Sequence, residues 1–278
     1  MKLLSTRIKL IFICIFILSV FGCGSSTEVF NVNIPAHTLS YIGAPSMHDE
    51  RMHFREIFCK LLESKRESQS LNIDCEDYLW RLNDEPLTDA VGTPLPVHDT
   101  HLRILIVSGA FSDCFPEIGK AYKLGTENLI RLGYRIDHIP ISGRSGSDMN
   151  ASIIAKTIAD MDMETSDRLL LIGYSKGTTD ILHFLVNYTD LSHKVTAVLS
   201  VAGAVNGSII ADRYAETYHK WFENLSLGNC EPGDRGVLES LTRKEQFRWL
   251  AMHPLPQHVQ YYSVATFTRE ENIQAALR

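Results

Sequence analysis

The chain predicts an α/β fold: a mostly parallel sheet flanked by helices, with a helical segment ahead of it and a lid-like insertion inside it. Three observations carry that expectation. From residue 102 onward, short apolar runs alternate with stretches of helical periodicity, the rhythm of parallel strands joined by right-handed crossovers. The pentapeptide Gly173-Tyr174-Ser175-Lys176-Gly177 stands between one such run and one such helix. Residues 207–258 break the rhythm, and "YYSVATF" then resumes it. At 45% hydrophobic and 22% charged over 278 residues, there is chain enough for a full α/β core.

The N-terminus reads as a targeting segment, residues 1–22. Lys2, Arg7 and Lys9 form a positive region, and Leu10 to Val20 is apolar but too short to span a bilayer as a mature helix. Val20-Phe21-Gly22-Cys23 resembles a bacterial lipobox, which implies an acylated Cys23 as the first mature residue; an ordinary secretory signal is the alternative. Acyl chains there would anchor the protein to a membrane by burying methylenes. Gly24 after the Cys resembles the outer-membrane sorting signal. The expected address is the bacterial cell envelope, lipid-anchored at the outer membrane. Loss of the three basic residues takes the net charge from −6 to −9, an acidic surface. With no basic cluster or stripe, nucleic acid is excluded as a partner.

Residues 23–45 read as a polar tether. Residues 46–99 read as a helical segment followed by a Pro-rich connector, with Met52, Phe54, Ile57, Phe58, Leu61 and Leu62 close to one helix face and a second short helix around Tyr78, Leu79 and Leu82. Once Cys14 and Cys23 are set aside, Cys59, Cys75, Cys114 and Cys230 remain, an even number suited to an oxidising compartment. Cys59 and Cys75 share one short segment and are paired; Cys114 and Cys230 follow by elimination. A metal site is the rival reading, but no C-x-x-C or H-x-x-x-H spacing supports it, and none is assigned. No cofactor is implied.

Then come the strands, "LRILIVSGAF", "RIDHIPI", "DRLLLIGYS", "KVTAVLSVAG" and "YYSVATF", and between them helices over "AYKLGTENLIRLGY", "SDMNASIIAKTIADMD" and "KGTTDILHFLVNY". In such a sheet ligands bind at the carboxyl ends of the strands. Ser175 lies at the end of the third strand, on the turn into a helix. A sharp turn there strains the nucleophile and crowds its neighbours, so Gly173 and Gly177 have a physical reason to lack side chains. The helix offers N-terminal N–H groups to developing negative charge. The backbone N–H of Lys176 is one expected oxyanion donor; the other is that of Ala110 or Phe111, in the loop after the first strand. Each donor typically supplies about 3 to 4 kcal/mol of transition-state stabilisation.

At these residues the chain resembles the α/β-hydrolase superfamily, over roughly residues 100–278. "GAFSDCF" looks like its oxyanion loop and "GYSKG" like its nucleophile elbow. "SVAGAVNGSIIAD" is similar to the G-x-x-x-G-S-x-x-A-D stretch of bacterial lipases and esterases. The insertion at 207–258 sits where the superfamily carries a lid. The resemblance implies the order Ser, acid, His, with the His after the final strand. The last strand ends near Phe267, and the eleven residues beyond hold Glu270 and Glu271 but no His or Asp. The chain thus reads as C-terminally truncated relative to a full hydrolase, its acid and His unassigned. His253 and His258 lie just before the last strand, on the wrong side of it for the usual His. His183 reads as semi-buried on the helix after the elbow, His138 as packed mid-strand, and Asp180 as pointing away from Ser175. Asp212 and Asp234 are site, cap or turn residues. Lys176 is an exposed neighbour or, alternatively, half of a Ser-Lys dyad. The resemblance implies a serine ester hydrolase, lipase- or esterase-like, acting through Ser175 on a lipid or other apolar small-molecule ester. The alternative is a catalytically incomplete hydrolase-fold lipoprotein that binds or scaffolds; a thioesterase or peptidase on the same fold reads alike.

Overall fold

The computed structural model describes residues 50–69, 74–79, 81, 99–115, 123–222 and 231–266. The signal, Cys23, the tether, the connector, Cys230 and the segment after Thr266 lie outside these. The chain divides into two compact units, residues 1–95 and 96–278.

In the first unit, helix α1 (Arg51–Gln69) is followed by a 3-10 turn, Cys75–Asp77; of the second helix expected around Tyr78, Leu79 and Leu82, Tyr78 and Leu79 lie just past this turn and are not helical, and Leu82 is outside the described residues. Asp74 caps the turn: its carboxylate accepts from the Glu76 N–H, and Asp77 returns the bond to the Asp74 N–H. The Cys59–Cys75 disulfide forms as expected, with its Cα atoms 5.3 Å apart. Buried Arg55 completes the join, donating to the Leu79 carbonyl at 2.7 Å. Phe58 stacks on Phe54 and tilts against Tyr78. Phe54 and Leu61 remain about half exposed, so the expected apolar face is only partly covered.

The second unit holds five strands, β1 (Leu102–Val107), β2 (Arg135–Ile139), β3 (Arg168–Tyr174), β4 (Val195–Val201) and β5 (Gln260–Val264), each at a run expected to be one. They form one sheet, ordered β2-β1-β3-β4-β5, and every neighbouring pair is parallel. Helices α2 (Lys123–Arg131), α3 (Ser147–Asp160), α4 (Lys176–Asn187) and the short α5 (Thr189–Ser192) supply the first connections. Leu105, Val107, Leu169 and Leu171 are fully buried in the sheet and meet Ala151, Ile154 and Ile158 of α3 and Ile181, Phe184 and Leu185 of α4. Two alanines on the buried face of α3, Ala151 and Ala155, let it approach closely. Among the described residues, no helix is long and apolar enough to cross a membrane.

Beyond β4, α6 (Ile209–Thr217) runs into a π-helical turn, Tyr218–Phe222. Residues 231–242 follow, and then α7 (Arg243–Met252), which returns to the body: Trp249 stacks on His183 of α4 at 3.9 Å between centroids. The region 207–258 therefore contains both the excursion after β4 and the crossover helix that leads to β5.

The strand order sets the site. The chain leaves β1 toward β2 on one side and comes back to β3 on the other. That reversal opens a crevice outside the carboxyl ends of β1 and β3, the topological switch point where open α/β sheets bind ligands.

Candidate active site

Ser175 stands at that switch point, directly after β3. Its backbone is at φ 52°, ψ −120°, a conformation that L residues with a side chain rarely adopt. The turn is held from both sides. The Ser175 N–H donates to the Val201 carbonyl at 3.1 Å, and the Ser175 carbonyl accepts from Thr178 and Ala204, each at 3.2 Å. Both flanking glycines are sterically required. A Cβ on Gly173 would lie 2.5 Å from the Thr178 Cα, and one on Gly177 would enter the carbonyl oxygens of Val107 and Ser108. Gly109 brings the loop after β1 against the nucleophile, since a Cβ on it would sit 3.1 Å from the Ser175 Cβ.

Two N–H groups border this contact without an acceptor among the described residues, Ala110 in the loop and Lys176 at the first position of α4. The Phe111 N–H, the other expected donor, is not available. Phe111 takes φ 59°, and its N–H donates to the Gly143 carbonyl at 2.8 Å, so the loop spends that donor on its own support. Asp113 adds a second brace, accepting from the Gly143 N–H at 3.0 Å.

Lys176 departs from the exposed position expected of it. Its side chain is wholly buried, and the ammonium pairs with Asp180, one turn along α4 and equally buried. The i, i+4 spacing puts both on the helix face that packs on α3. Asn150 of α3 donates to the other Asp180 oxygen at 2.8 Å. Burial pushes the Asp180 carboxyl above the ordinary carboxylate range, opposed by Lys176 and by hydrogen bonds from Asn150 and Ser147. A buried ammonium salt-bridged in this way is not placed as a free base for Ser175.

The other sequence candidates are tied elsewhere. Asp212 is gripped by Arg243, through the backbone N–H at 2.9 Å and the guanidinium, which holds its carboxyl below the usual range. Asp234 accepts from the N–H groups of Gly146 and Gly236, a loop staple. His183 is buried beside Asp148, Nδ1 to Oδ1 2.7 Å; burial holds its pKa down against the pull of that carboxylate. His138 is exposed on β2 and not buried in the core. His253 bonds the Trp249 carbonyl and stacks on its ring. His258 bonds the Ser192 carbonyl, just before β4 begins and so at the amino edge of the sheet, opposite Ser175.

The sequence reading passed over the segment that crosses the site. Tyr218, buried in the π-helical turn, meets the Phe111 ring edge-on at 5.9 Å, and its hydroxyl accepts from the Arg144 Nε at 3.0 Å. It thus ties the excursion after β4 to the loops after β1 and β2. His219 follows, with Nε2 3.4 Å from the Glu239 carboxylate. A π-turn frequently marks a functional site, but it has no signature in a single sequence. Among the described residues, the ligand atoms of His101, Glu164 and Asp167 lie within 4.8 Å of one another at the amino edge. Both terminal nitrogens of Arg135 and the Glu164 N–H already engage Asp167, which leaves little of that carboxylate for an ion. Cys114 is buried and disulfide-bonded; the expected partner, Cys230, lies outside the described residues.

No protein-family model matches the chain, and no curated protein matches it. Solved structures do. The metagenomic carboxyl esterase MGS0156 is 32% identical, with a TM-score of 0.74, over 87% of this chain and 76% of that one. Bacillus licheniformis lipase BlEst2 in its mature form is 17% identical (TM-score 0.45, 62% of this chain and 69% of that one). Phospholipase PlaB from Legionella pneumophila is 14% identical (TM-score 0.43, 63% and 41%). The last two likenesses are weak, and nothing here rests on them. The identity to the first, over most of both chains, agrees with a strained serine on a strand–turn–helix at the switch point of a parallel sheet: the chain belongs to the α/β-hydrolase superfamily.

Proposed function

We propose that this protein is a serine ester hydrolase acting through Ser175 on a lipid-class or other apolar ester. The observation that carries the reading is the strained Ser175 turn beside two N–H groups, those of Ala110 and Lys176, that have no acceptor among the described residues. Kinship with a carboxyl esterase supports the ester class. Exposed Tyr174 beside the nucleophile and Phe115 in the loop after β1 support an apolar substrate.

In this reading Ser175 Oγ bonds to the ester carbonyl carbon while a base takes its proton. The oxyanion forms against the Ala110 and Lys176 N–H groups. Collapse breaks the bond to the alcohol, which leaves with the proton, and water then cleaves the acyl-serine by the same route. For the base, topology favours His219. Of the described histidines of this unit, His101, His193 and His258 lie before strands, at the amino edge, and His138, His183 and His253 sit on strand or helix away from the turn. His219 is on the segment whose Tyr218 meets the oxyanion loop, and Glu239 beside it would stabilise the imidazolium.

The test is labelling by a fluorophosphonate probe. Wild type is expected to label and Ser175→Ala not to; unlabelled, folded wild type would sink the reading and favour a hydrolase-shaped binding protein. In the same assay His219→Gln is expected to slow labelling at least ~100-fold, the scale of lost general-base catalysis. His253→Gln and His258→Gln are expected to keep the wild-type rate.

A further inference from the structure

We infer that Asn150 is a positioning residue for the oxyanion hole, coupling the helix that carries one donor to the loop that carries the other; the inference rests on the Ser175 reading above. The two donors belong to different elements. Lys176 opens α4, and Ala110 lies in the loop after β1. That loop turns through Phe111 at positive φ and is braced on its backbone by Gly143, which accepts from the Phe111 N–H and donates to Asp113. A Cβ on Gly143 would strike the Asp113 carboxylate and come within 2.8 Å of the Phe111 backbone nitrogen, so the two segments are in direct contact.

Gly143 is placed by its neighbour Ser142, and Ser142 is held by Asn150. The Asn150 Oδ1 accepts from the Ser142 N–H at 3.0 Å, and Nδ2 donates to the Ser142 carbonyl at 3.1 Å. The same Nδ2 gives its other proton to Asp180, which holds the Lys176 ammonium. A path of hydrogen bonds, closed by the covalent Ser142–Gly143 peptide link, thus runs from the Lys176 side chain to the Phe111 N–H. Asn150 is fully buried, and a carboxamide alone among side chains of this size supplies the acceptor and both donors that the chain needs. Asp would replace two donors by acceptors beside a buried carboxylate; Ala would release the loop.

The experiment compares wild type, Asn150→Ala, Asp113→Ala and, as a control, Asp167→Ala. The control removes a buried charge partner at the opposite edge of the sheet. The fluorophosphonate rate constant and the kcat and KM for p-nitrophenyl butyrate are measured where circular dichroism shows each variant folded. Asn150→Ala is expected to lower kcat and the labelling rate together, by about 10- to 100-fold, with KM within about twofold, because an oxyanion hole acts on the transition state and not on the bound substrate. Asp113→Ala, which removes the acceptor of the Gly143 N–H, is expected to move both in the same direction by less. Asp167→Ala is expected to lower the melting temperature and leave kcat unchanged. Folded Asn150→Ala with wild-type kcat overturns the inference, as does an equal kcat loss in Asp167→Ala. If Asn150→Ala does not fold, Asp113→Ala decides, and an unchanged kcat overturns it. A wild type that labels no faster than Ser175→Ala sinks the serine-hydrolase reading instead, so the two failures are read from different samples.

Discussion

Ser175→Gly is expected to be more stable than wild type and devoid of activity, and Ser175→Ala equally inactive with no gain in stability. The two variants separate the nucleophile's chemistry from its backbone. At φ 52°, ψ −120° a residue with a Cβ is strained, by about 1 to 3 kcal/mol in comparable positions. Alanine keeps the Cβ and the strain. Glycine removes both but returns about 0.4 to 1 kcal/mol through the greater freedom of the unfolded chain. The net gain is about 1 kcal/mol, or roughly 2 to 4 °C in melting temperature for a unit of this size. The strain persists in wild type because the surroundings leave the turn no alternative: three backbone hydrogen bonds fix Ser175, and neither flanking glycine has room to rearrange. Loss of the nucleophile lowers kcat by about 10⁶-fold where it has been isolated in other serine hydrolases. Thermal denaturation beside the labelling assay checks both halves. Ser175→Gly melting below Ser175→Ala would mean that the turn is not strained as described.

Much of this site was legible in the sequence, and what escaped has a common cause. The five strands and the helices between them follow from local apolar runs and periodicity. The elbow follows from two glycines at fixed spacing about a serine. The Cys59–Cys75 pairing followed from proximity in the chain. The residues misread or missed act through partners distant in sequence. Lys176 looked exposed because polar residues beside a nucleophile usually are; it is buried where α4 packs on the preceding crossover helix, whose Asn150 bonds the Asp180 that pairs with it. Phe111 looked like a donor because its position in the loop was right, and only Gly143, some thirty residues on, takes its N–H. Tyr218 and Arg144 meet across 74 positions. The Lys176–Asp180 spacing was the one local clue, an i, i+4 pair of opposite charge on a helix with an otherwise apolar face.

That pair sets up the second large effect. Lys176→Met is expected to destabilise the protein by about 3 to 5 kcal/mol near neutral pH, because it leaves the Asp180 carboxylate buried without its counter-charge. The backbone N–H at 176 is retained, so the loss concerns the pair and not the donor itself. The deficit is expected to depend on pH, and its sign follows from Asp180. In the unfolded chain an aspartate titrates near pKa ~3.9. In the folded protein burial raises that pKa, and Lys176 opposes the rise. Replacing Lys176 removes the opposition, so the folded pKa of Asp180 climbs further. Between the unfolded and folded values the native state then holds the extra proton, and stability falls as pH rises through that window. At about pH 3, below the unfolded value, the carboxyl is largely neutral in both states, and the variant should lie closest to wild type there. As the pH rises the gap should widen, then level off above the folded pKa. Urea denaturation of both proteins at several pH values between those limits measures it. Asp180→Leu combined with Lys176→Met should recover part of the loss by removing the stranded charge, although the Asn150 amide then lacks an acceptor and about 1 to 3 kcal/mol of desolvation remains. A deficit of the same size at every pH would assign the effect to the packing of the methionine and not to the charge on Asp180.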